Sequence, residues 1–317
     1  MNKIPPTVKS LELSSNALVV LKKRYLKKDE KGEKLPLLDE IDFLFLTGEA
    51  KEASFRRGKV DISFVSFPLN RESDTAIKVF MIPRLNTLGL GFNMAQYNLF
   101  TRNKKLREAI ALAVPPDTSV GYRAKSFLPQ LKDWPIKLKP IPYDPERAVK
   151  LLREGGIKRG EELEFYIPVG DERIYGQRVK EFLEKVGLRV KVISLPRHIY
   201  WQKVEKGELP FFRIGWISDN PDVPAYYSVF TSESGSNLTH YKNPEYDSLF
   251  LLLKKAQKHE EKLKYMYALE SILRRDLPFI YWKHEIIRVT IRSYVKGFEA
   301  SLNPFNRWYL EYVYLEK

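Results

Sequence analysis

The stretch EELEFYIPVGDERIYGQRVKEFLEKVGLRVKVISLPRHIYWQKVEKGELPFFRIGW, residues 161–216, decides the fold class of this chain. Three of its segments, 161–168, 188–195 and 210–216, carry the apolar, β-branched and aromatic residues typical of strands. The segment between the first two predicts a helix that ends at Gly187, because its apolar residues recur at helical spacing. A second, shorter helical pattern separates the second and third strands. Strands that alternate with helices predict an α/β unit whose sheet is partly parallel.

Helical patterns continue on both sides of this stretch. The segment YDPERAVKLLREGG, residues 143–156, contains a helix start and a helix stop. Asp144 is a candidate N-cap, Pro145 takes the first helical position and Gly155 follows the last turn. Apolar residues recur at helical spacing in three further segments: 103–114, 243–257 and 260–276.

The two ends of the chain read mostly as strands, whereas the middle is rich in helices. This order predicts two lobes. One is built from residues 1–90 and 286–317, and the other, residues 91–285, is inserted between them. The chain would then cross between the lobes twice, near residues 85–93 and near residues 282–291.

Composition limits the class of protein. The 317 residues are 44% hydrophobic and have a formal net charge of +14. Acidic residues accompany the basic ones along the whole chain, which predicts a solvated surface of mixed charge, so no nucleic acid is expected as a partner. No apolar run approaches the roughly 20 residues that span a bilayer. Abundant lysine and glutamate and the absence of cysteine fit the surface of a thermophilic protein.

The sequence carries no P-loop, no H-E-x-x-H and no G-x-S-x-G motif. Gly89-Leu90-Gly91 begins a dinucleotide fingerprint, but Met94 occupies the position of its third glycine. Without cysteine, and with four widely separated histidines, the chain offers no ligand spacing for a metal. We therefore expect neither an enzyme nor a cofactor or metal site.

Segments in a fixed order along the chain resemble the family 5 solute-binding proteins, the oligopeptide-, dipeptide- and nickel-binding components of ABC transporters. YDPERAVKLLREGG is similar to the family's yDpekAk.LL.eaG, and LGLGFNM to its lgfN strand. FRIGWISDNPDVPAYYSVF is similar to the start of the family's gW.aDypdP block. Further matches, in chain order, are FRRGKVDISFVSFP, NKKLREAIALAV and YALESILRRDLPFIYWKHEIIRVTIRSYVKGFE. The resemblance implies an α/β fold of the periplasmic-binding-protein type II, with two lobes and mixed sheets, truncated at its N-terminal side.

The resemblance also implies where the ligand binds. In peptide-binding members, the aspartate of the gW.aD block pairs with the ligand's α-ammonium group in a cleft between the lobes. Here that residue is Asp219, preceded by Trp216. A charge-assisted hydrogen bond at this position would select an amine, although Asp-Asn-Pro is also an ordinary turn sequence. Weaker candidates for ligand binding are Ser218, Asn220, Tyr226 and Asn237, and the candidate hinge residues are Gly91, Asn93 and His284.

The function implied is the substrate-binding component of an ABC importer. Such a monomer would bind a short peptide or similar solute and pass it to the membrane permease of the transporter. The full-length protein would be periplasmic or extracytoplasmic. Because family members are longer, we expect this chain to be a C-terminal portion, without a signal peptide and with weak binding of its own. The alternative is the ligand-sensing domain of a cytoplasmic regulator with a related solute-binding fold.

Overall fold

A computed structural model describes residues 18–20, 27–28, 32, 34–38, 41–46, 48–64, 76–95, 97–115, 121–129, 134, 137–171, 175–218, 222–299 and 310–316. The chain divides into two compact units, here called the terminal unit (1–82 and 287–317) and the central unit (83–286). The strand expected at the first crossing, residues 86–92, belongs to the central unit. The functional division into two lobes stays a prediction.

Helices and strands alternate through the described residues. In chain order they are β1 (Leu18–Val20), β2 (Lys27–Lys28), β3 (Lys34–Leu35), β4 (Asp42–Leu44), α1 (Gly48–Arg56), β5 (Ile62–Ser63), β6 (Ile77–Pro83), β7 (Asn86–Phe92), α2 (Leu99–Arg102), α3 (Lys104–Ala113), β8 (Tyr122–Arg123), α4 (Pro145–Glu154), β9 (Glu162–Pro168), α5 (Gln177–Lys185), β10 (Arg189–Leu195), α6 (Arg197–Glu205), β11 (Phe211–Ile217), α7 (Val223–Tyr227), α8 (Pro244–Lys255), α9 (His259–Asp276), β12 (Phe279–His284), β13 (Ile286–Arg292), β14 (Val295–Lys296) and β15 (Tyr314–Leu315). Short 3₁₀ helices lie at Ser228–Phe230 and Leu310–Tyr312.

The terminal unit contains short strands around a small apolar core. A three-stranded sheet has the order β5-β13-β6, and three antiparallel pairs join β1 to β4, β2 to β3 and β14 to β15. Its buried core consists of Ile82, Val289, Ile291, Val295, Phe298 and Val313. Both chain ends contribute residues to this unit.

The central unit is built on a six-stranded mixed sheet with the order β10-β9-β11-β7-β12-β8. The three strands of the 161–216 stretch, β9, β10 and β11, run parallel to one another. β7 runs antiparallel to both of its neighbours, β11 and β12. The predicted α/β unit with a partly parallel sheet is therefore confirmed.

Successive residues of a strand point to opposite sides of its sheet, and the central sheet has a separate core on each side. On the side that we call the first face, Phe211 packs with residues of α3, α4 and α5. On the second face, Phe212 and Ile214 pack with residues of α6 to α9. Together these cores bury the central sheet on both faces.

The ends of α4 follow the sequence pattern. The Asp144 side chain accepts a hydrogen bond from the Arg147 N–H at 2.9 Å, and Pro145 is the first helical residue. After the helix, Gly156 adopts a φ of 70°, which favours glycine over other residues. The N-cap and the stop predicted from residues 143–156 are both present.

Gly89 and Gly91 lie in the middle of β7, where aromatic rings cross the strand. A Cβ atom on Gly89 would lie 2.0 Å from the Ile280 carbonyl oxygen and 2.5 Å from the Phe279 ring. A Cβ atom on Gly91 would lie 2.8 Å from the Phe212 ring. These two glycines thus leave room for aromatic packing on the second face of the sheet.

Candidate functional site

One edge of the central sheet gathers the carboxyl ends of four strands. β9, β10, β11 and β12 end there, at Pro168, Leu195, Ile217 and His284. The antiparallel strands β7 and β8 begin there, since Asn86 pairs with Ile217 and Tyr122 pairs with His284. We call this the strand-end edge. In α/β sheets, ligands characteristically bind outside the carboxyl ends of the strands.

Trp216 lies one residue before the end of β11, as a partly buried side chain on the second face. It lines a small pocket together with Phe127, Phe230 and Phe279. Its indole nitrogen Nε1 is buried and has no hydrogen-bond partner among the described residues. Trp216 thus combines a ring in a mostly apolar pocket with a donor that could serve a bound group.

The other candidates of the gW.aD block have different surroundings. Ser218 is buried, and its N–H donates to the Leu85 carbonyl oxygen at 2.9 Å. Asp219 and Asn220 lie outside the described residues. Tyr226 is fully buried and donates its hydroxyl hydrogen to the same Leu85 oxygen at 3.1 Å. The structure therefore brings Ser218 and Tyr226 together at Leu85, just before β7.

Asn237 is buried in the loop before α8. Its Nδ2 donates to the carbonyl oxygens of Thr231, at 3.1 Å, and of Tyr241, at 2.7 Å. Its Oδ1 accepts from the Thr239 hydroxyl at 3.0 Å and from the Tyr241 N–H at 3.2 Å. These four bonds use the capacity of the amide inside the loop. Its role in ligand binding stays a prediction.

The three hinge candidates lie in the central unit. Gly91 is inside β7, and Asn93 follows the strand as a buried residue whose side chain donates to the Gly207 carbonyl oxygen. His284 ends β12, and Ile286, two positions later, is the last residue of the central unit. Among the three, His284 is thus the nearest in sequence to a crossing, and the hinge role stays a prediction.

His284 is almost completely buried at the strand-end edge. Its Nδ1 lies 2.9 Å from the Asn86 carbonyl oxygen and 3.1 Å from the Thr87 hydroxyl oxygen. Since a carbonyl oxygen can only accept, Nδ1 carries the hydrogen of the neutral ring. Burial lowers the pKa of this imidazole to about 4, because the charged form loses its hydration. His284 is therefore neutral at physiological pH.

Sequence reasoning missed a polar cluster where the chain enters and leaves the central unit. The Arg84 guanidinium and the Asn86 amide both contact Glu285 Oε2, at 3.1 and 2.6 Å. The Arg84 N–H also donates to the Glu285 carbonyl oxygen at 2.9 Å. These bonds join the two segments next to the crossings. Arg84 and Asn86 are far from Glu285 in the chain, and single polar residues form no motif. The sequence therefore does not reveal that they pair.

A second cluster missed by the sequence lies beside the ends of β9 and β12. Arg213 Nε is 3.1 Å from Asp171 Oδ2, and the two side chains are only 16% and 14% exposed. The Arg213 guanidinium lies 4.8 Å from the centre of the Tyr175 ring, and Lys283 Nζ lies 5.4 Å from the same centre. Two cations thus lie near one aromatic ring, beside the Asp171 carboxylate, and such an arrangement can bind an anion.

A register shift brings Lys283 into this cluster. The pairing of β12 with β7 is irregular between Tyr281 and Lys283. Bulges of this kind redirect side chains and are frequent beside functional sites. Here Lys283 is placed beside Tyr175, and the following His284 lies beside Thr87. The alternation of residues in the sequence could not show this shift.

The described residues contain no group of three or more His, Cys, Asp or Glu side chains that could hold a metal ion. Within the same residues, no helix is both long and apolar enough to cross a membrane. The polar groups described at the strand-end edge are hydroxyl, amide, imidazole, carboxylate, guanidinium and ammonium groups. These groups suit the recognition of a polar organic ligand by hydrogen bonds and charge.

Comparisons with known proteins find relatives over most of this chain. In one relative, the dipeptide-binding protein of Escherichia coli, 265 aligned residues are 23% identical and cover 77% of this chain and 48% of that protein. The heme-binding protein A of Haemophilus influenzae is 25% identical over 255 residues, which cover 75% of this chain and 46% of that protein. This chain thus spans about half the length of the curated relatives it matches.

Solved structures share the fold. A periplasmic binding protein of Helicobacter pylori, in complex with the peptide STSA, superposes with a TM-score of 0.77 at 19% identity, over 95% of this chain and 60% of that one. This supports the fold expected from the sequence, that of the type II periplasmic binding proteins. Residues 8–237 match the family model described as bacterial extracellular solute-binding proteins, family 5 Middle. The chain therefore belongs to family 5 of the bacterial extracellular solute-binding proteins.

Proposed function

We propose that this chain binds a short peptide at the strand-end edge of the central unit, as part of the substrate-binding component of an ABC importer. The observation that carries the proposal is the largely buried cluster of Arg213, Lys283, Tyr175 and Asp171 at that edge. A free peptide has a carboxylate at one end and an ammonium group at the other. The Arg213 guanidinium and the Lys283 ammonium group are the proposed partners of the ligand carboxylate.

Asp219 is the proposed partner of the ligand's ammonium group. It lies six residues after Arg213, so their Cα atoms are at most about 20 Å apart. That limit suits a ligand of a few residues held by both of its charged ends. The Trp216 ring, which lies on the opposite side of β11 from Arg213, is proposed to pack against the ligand near Asp219, with Ser218 and Asn220 close by in the chain.

The wider assignment follows from the family. Among the relatives, several are named dipeptide-binding or di/tripeptide-binding proteins, and the Helicobacter pylori structure contains a peptide. For this protein we propose the same ligand class, an extracytoplasmic location, a monomeric state and delivery to a membrane permease. We propose that the motion accompanying ligand binding uses the hinge residues Gly91, Asn93 and His284.

Calorimetric titration with Ala-Leu, N-acetyl-Ala-Leu and Ala-Leu-amide tests both charged contacts. A hydrogen bond to a charged group contributes about 1.5–3 kcal/mol, which corresponds to about 10- to 150-fold in affinity. We expect each modified peptide to bind the wild-type chain more weakly by a factor in this range. The Asp219→Asn variant should no longer distinguish Ala-Leu from its acetylated form. The Arg213→Gln variant should no longer distinguish Ala-Leu from its amide.

The controls separate charge at the site from charge elsewhere. Asp42→Asn removes an exposed carboxylate from β4 of the terminal unit and should leave all three affinities unchanged. Arg213→Lys keeps a cation and should retain part of the preference for the free carboxylate. Equal affinity of the wild-type chain for all three peptides would contradict the proposal. Hemin serves as a second probe, because one relative is named a heme-binding protein.

A further inference from the structure

Glu270 is a carboxyl group inside the second-face core. It lies in α9, its side chain is 0% exposed, and it is surrounded by the apolar residues of α7, α8 and α9. Burial raises the pKa of this carboxyl group, and the hydrogen bonds that it accepts oppose the shift. A buried polar group destabilises a fold unless it finds hydrogen-bond partners. The groups that Glu270 contacts therefore indicate what it is for.

Glu270 Oε1 accepts two hydrogen bonds. One comes from the backbone N–H of Phe127 at 2.6 Å, and the other from the Tyr227 hydroxyl at 2.8 Å. Phe127 belongs to the irregular segment 124–129, between β8 and α4. On its other side, the Phe127 carbonyl oxygen accepts from the Thr87 hydroxyl at 2.5 Å. Side chains from α9 and β7 thus hold both polar groups of this residue.

The Phe127 ring is part of the pocket beside Trp216. It packs edge-on against Phe230, with centroids 4.7 Å apart, and against Phe279, with centroids 5.5 Å apart. All three rings line the pocket that contains Trp216. Interiors are packed too densely for a ring to shift without its neighbours. The position of the Phe127 backbone therefore determines the shape of this wall.

We infer that Glu270 is a positioning residue for ligand selection, acting through Phe127 on the apolar pocket beside Trp216. The inference rests on the proposed peptide-binding function and deepens it. The pocket lining is mostly hydrocarbon, so the ligand group that it takes is an apolar side chain. Glu270 does not contact the ligand. Its Oε1 accepts a hydrogen bond from the N–H of Phe127, which lies in an irregular segment.

Two variants of Glu270 separate positioning from filling of space. Glu270→Gln keeps the size and one oxygen acceptor, so Phe127 should keep its place. Glu270→Leu keeps a similar volume and leaves the Phe127 N–H without an acceptor. A third variant, Tyr227→Phe, removes the other bond to Oε1 without touching Phe127. It serves as the matched control for a general loss of stability.

The readout is selectivity between Ala-Leu and Ala-Ala, together with hydrogen exchange of the Phe127 amide. A well-shaped apolar pocket discriminates by about tenfold for each methylene group. We expect the wild type, Glu270→Gln and Tyr227→Phe to share the same preference and a protected amide. Glu270→Leu should lose at least about tenfold of the preference and exchange the Phe127 amide rapidly, although its fold persists by circular dichroism.

The outcomes are distinct. Binding of both peptides with the same preference in the wild type and Glu270→Leu would overturn this inference and leave the proposed function standing. A loss of preference in Tyr227→Phe equal to that in Glu270→Leu would also overturn it, since stability alone would then explain both. No peptide binding by the wild type would overturn the proposed function and this inference with it. If Glu270→Leu does not fold, Thr87→Val tests the other bond to Phe127 with the same expected loss.

Discussion

The two faces of the central sheet are buried to a similar degree and differ in chemistry. The first-face core consists of apolar residues of the strands and of α3, α4 and α5, and α3 also buries the charged side chain of Arg107. The second-face core contains the buried hydroxyls of Tyr200, Tyr226, Tyr227 and Tyr246 as well as the carboxyl of Glu270. Apolar burial holds the sheet on both faces, and the second face adds a larger set of buried hydroxyl and carboxyl groups that are hydrogen-bonded to backbone groups.

The difference follows from what covers each face. Irregular segments reach into the second face, and a buried backbone group needs a hydrogen-bond partner. The Tyr246 hydroxyl serves the Tyr227 carbonyl oxygen at 2.8 Å, and the Tyr226 hydroxyl serves the Leu85 carbonyl oxygen. Tyrosine and glutamate side chains in this core therefore hold individual backbone groups beside the strand-end edge, and they also add buried area.

Phe165→Ala tests the first face and has the largest expected effect. Phe165 is fully buried, and its ring lies 4.6 Å from that of Phe211. Removing a buried phenylalanine side chain typically destabilises a protein by about 3–5 kcal/mol, because a cavity remains. We expect a loss of this size in urea unfolding and an unchanged preference among bound peptides. A changed preference without lost stability would break the distinction between the faces.

His284→Asn tests the acid sensitivity of the second face at the strand-end edge. The folded pKa of about 4 lies below the ordinary histidine pKa of 6.5, so between these pH values the unfolded chain binds a proton that the folded chain does not. Folding stability should therefore fall as the pH drops from about 6.5 to about 4, by about 3 kcal/mol for this group. Asparagine keeps a donor for the Asn86 oxygen and does not titrate.

The measurement for His284→Asn is urea unfolding at pH 7 and at pH 4. The variant should lose about 3 kcal/mol less than the wild type between these two pH values. Other groups titrate in both proteins, so only the difference between them is used. Identical losses would show that His284 does not carry the acid sensitivity.

Gly89→Ala tests the close packing of rings over β7. A Cβ atom there would meet the Ile280 backbone oxygen at 2.0 Å, and a backbone atom yields less easily than a side chain. We expect destabilisation at the upper end of the usual 1–3 kcal/mol for overpacking, measured as a lower thermal midpoint. Gly235→Ala is the matched control, because nothing lies within 4 Å of its added Cβ atom. Equal midpoints for the two variants would contradict the argument.

Tyr246→Phe has the smallest expected effect on stability and tests a single hydroxyl of the second face. It removes one buried hydroxyl and leaves the Tyr227 carbonyl oxygen without that donor. The net contribution of such a bond is about 1 kcal/mol. We expect a loss of this size in urea unfolding, accompanied by faster amide exchange in α7. A loss comparable to that of Phe165→Ala would mean that hydroxyls hold this face as strongly as apolar burial does.

Local patterns predicted the elements of the central unit well. The strands expected at 161–168, 188–195 and 210–216 occur as β9, β10 and β11, with ends shifted by one residue. The capped helix after Asp144 is present as predicted. These features succeed because hydrophobic periodicity and capping act over a few neighbouring residues. The family assignment succeeds for a related reason, since it rests on the order of such segments.

The sequence named some residues of the candidate site and missed others. Trp216 lines the pocket beside the strand-end edge, while Asp219 and Asn220 lie outside the described residues and stay predictions. Arg213, Asp171 and Lys283 were missed as a group. They are single charges scattered along the chain, and only the pairing of strands brings them together. No local pattern carries that information.

The sequence by itself determined the α/β class, the helix ends and the family of this chain, because each depends on neighbouring residues or on their order. Only the tertiary structure decided which charges meet at the strand-end edge. It also decided that Glu270 in α9 holds Phe127 opposite Thr87 of β7. Such contacts join residues far apart in the chain, and the register of a sheet, including the bulge before Lys283, sets them.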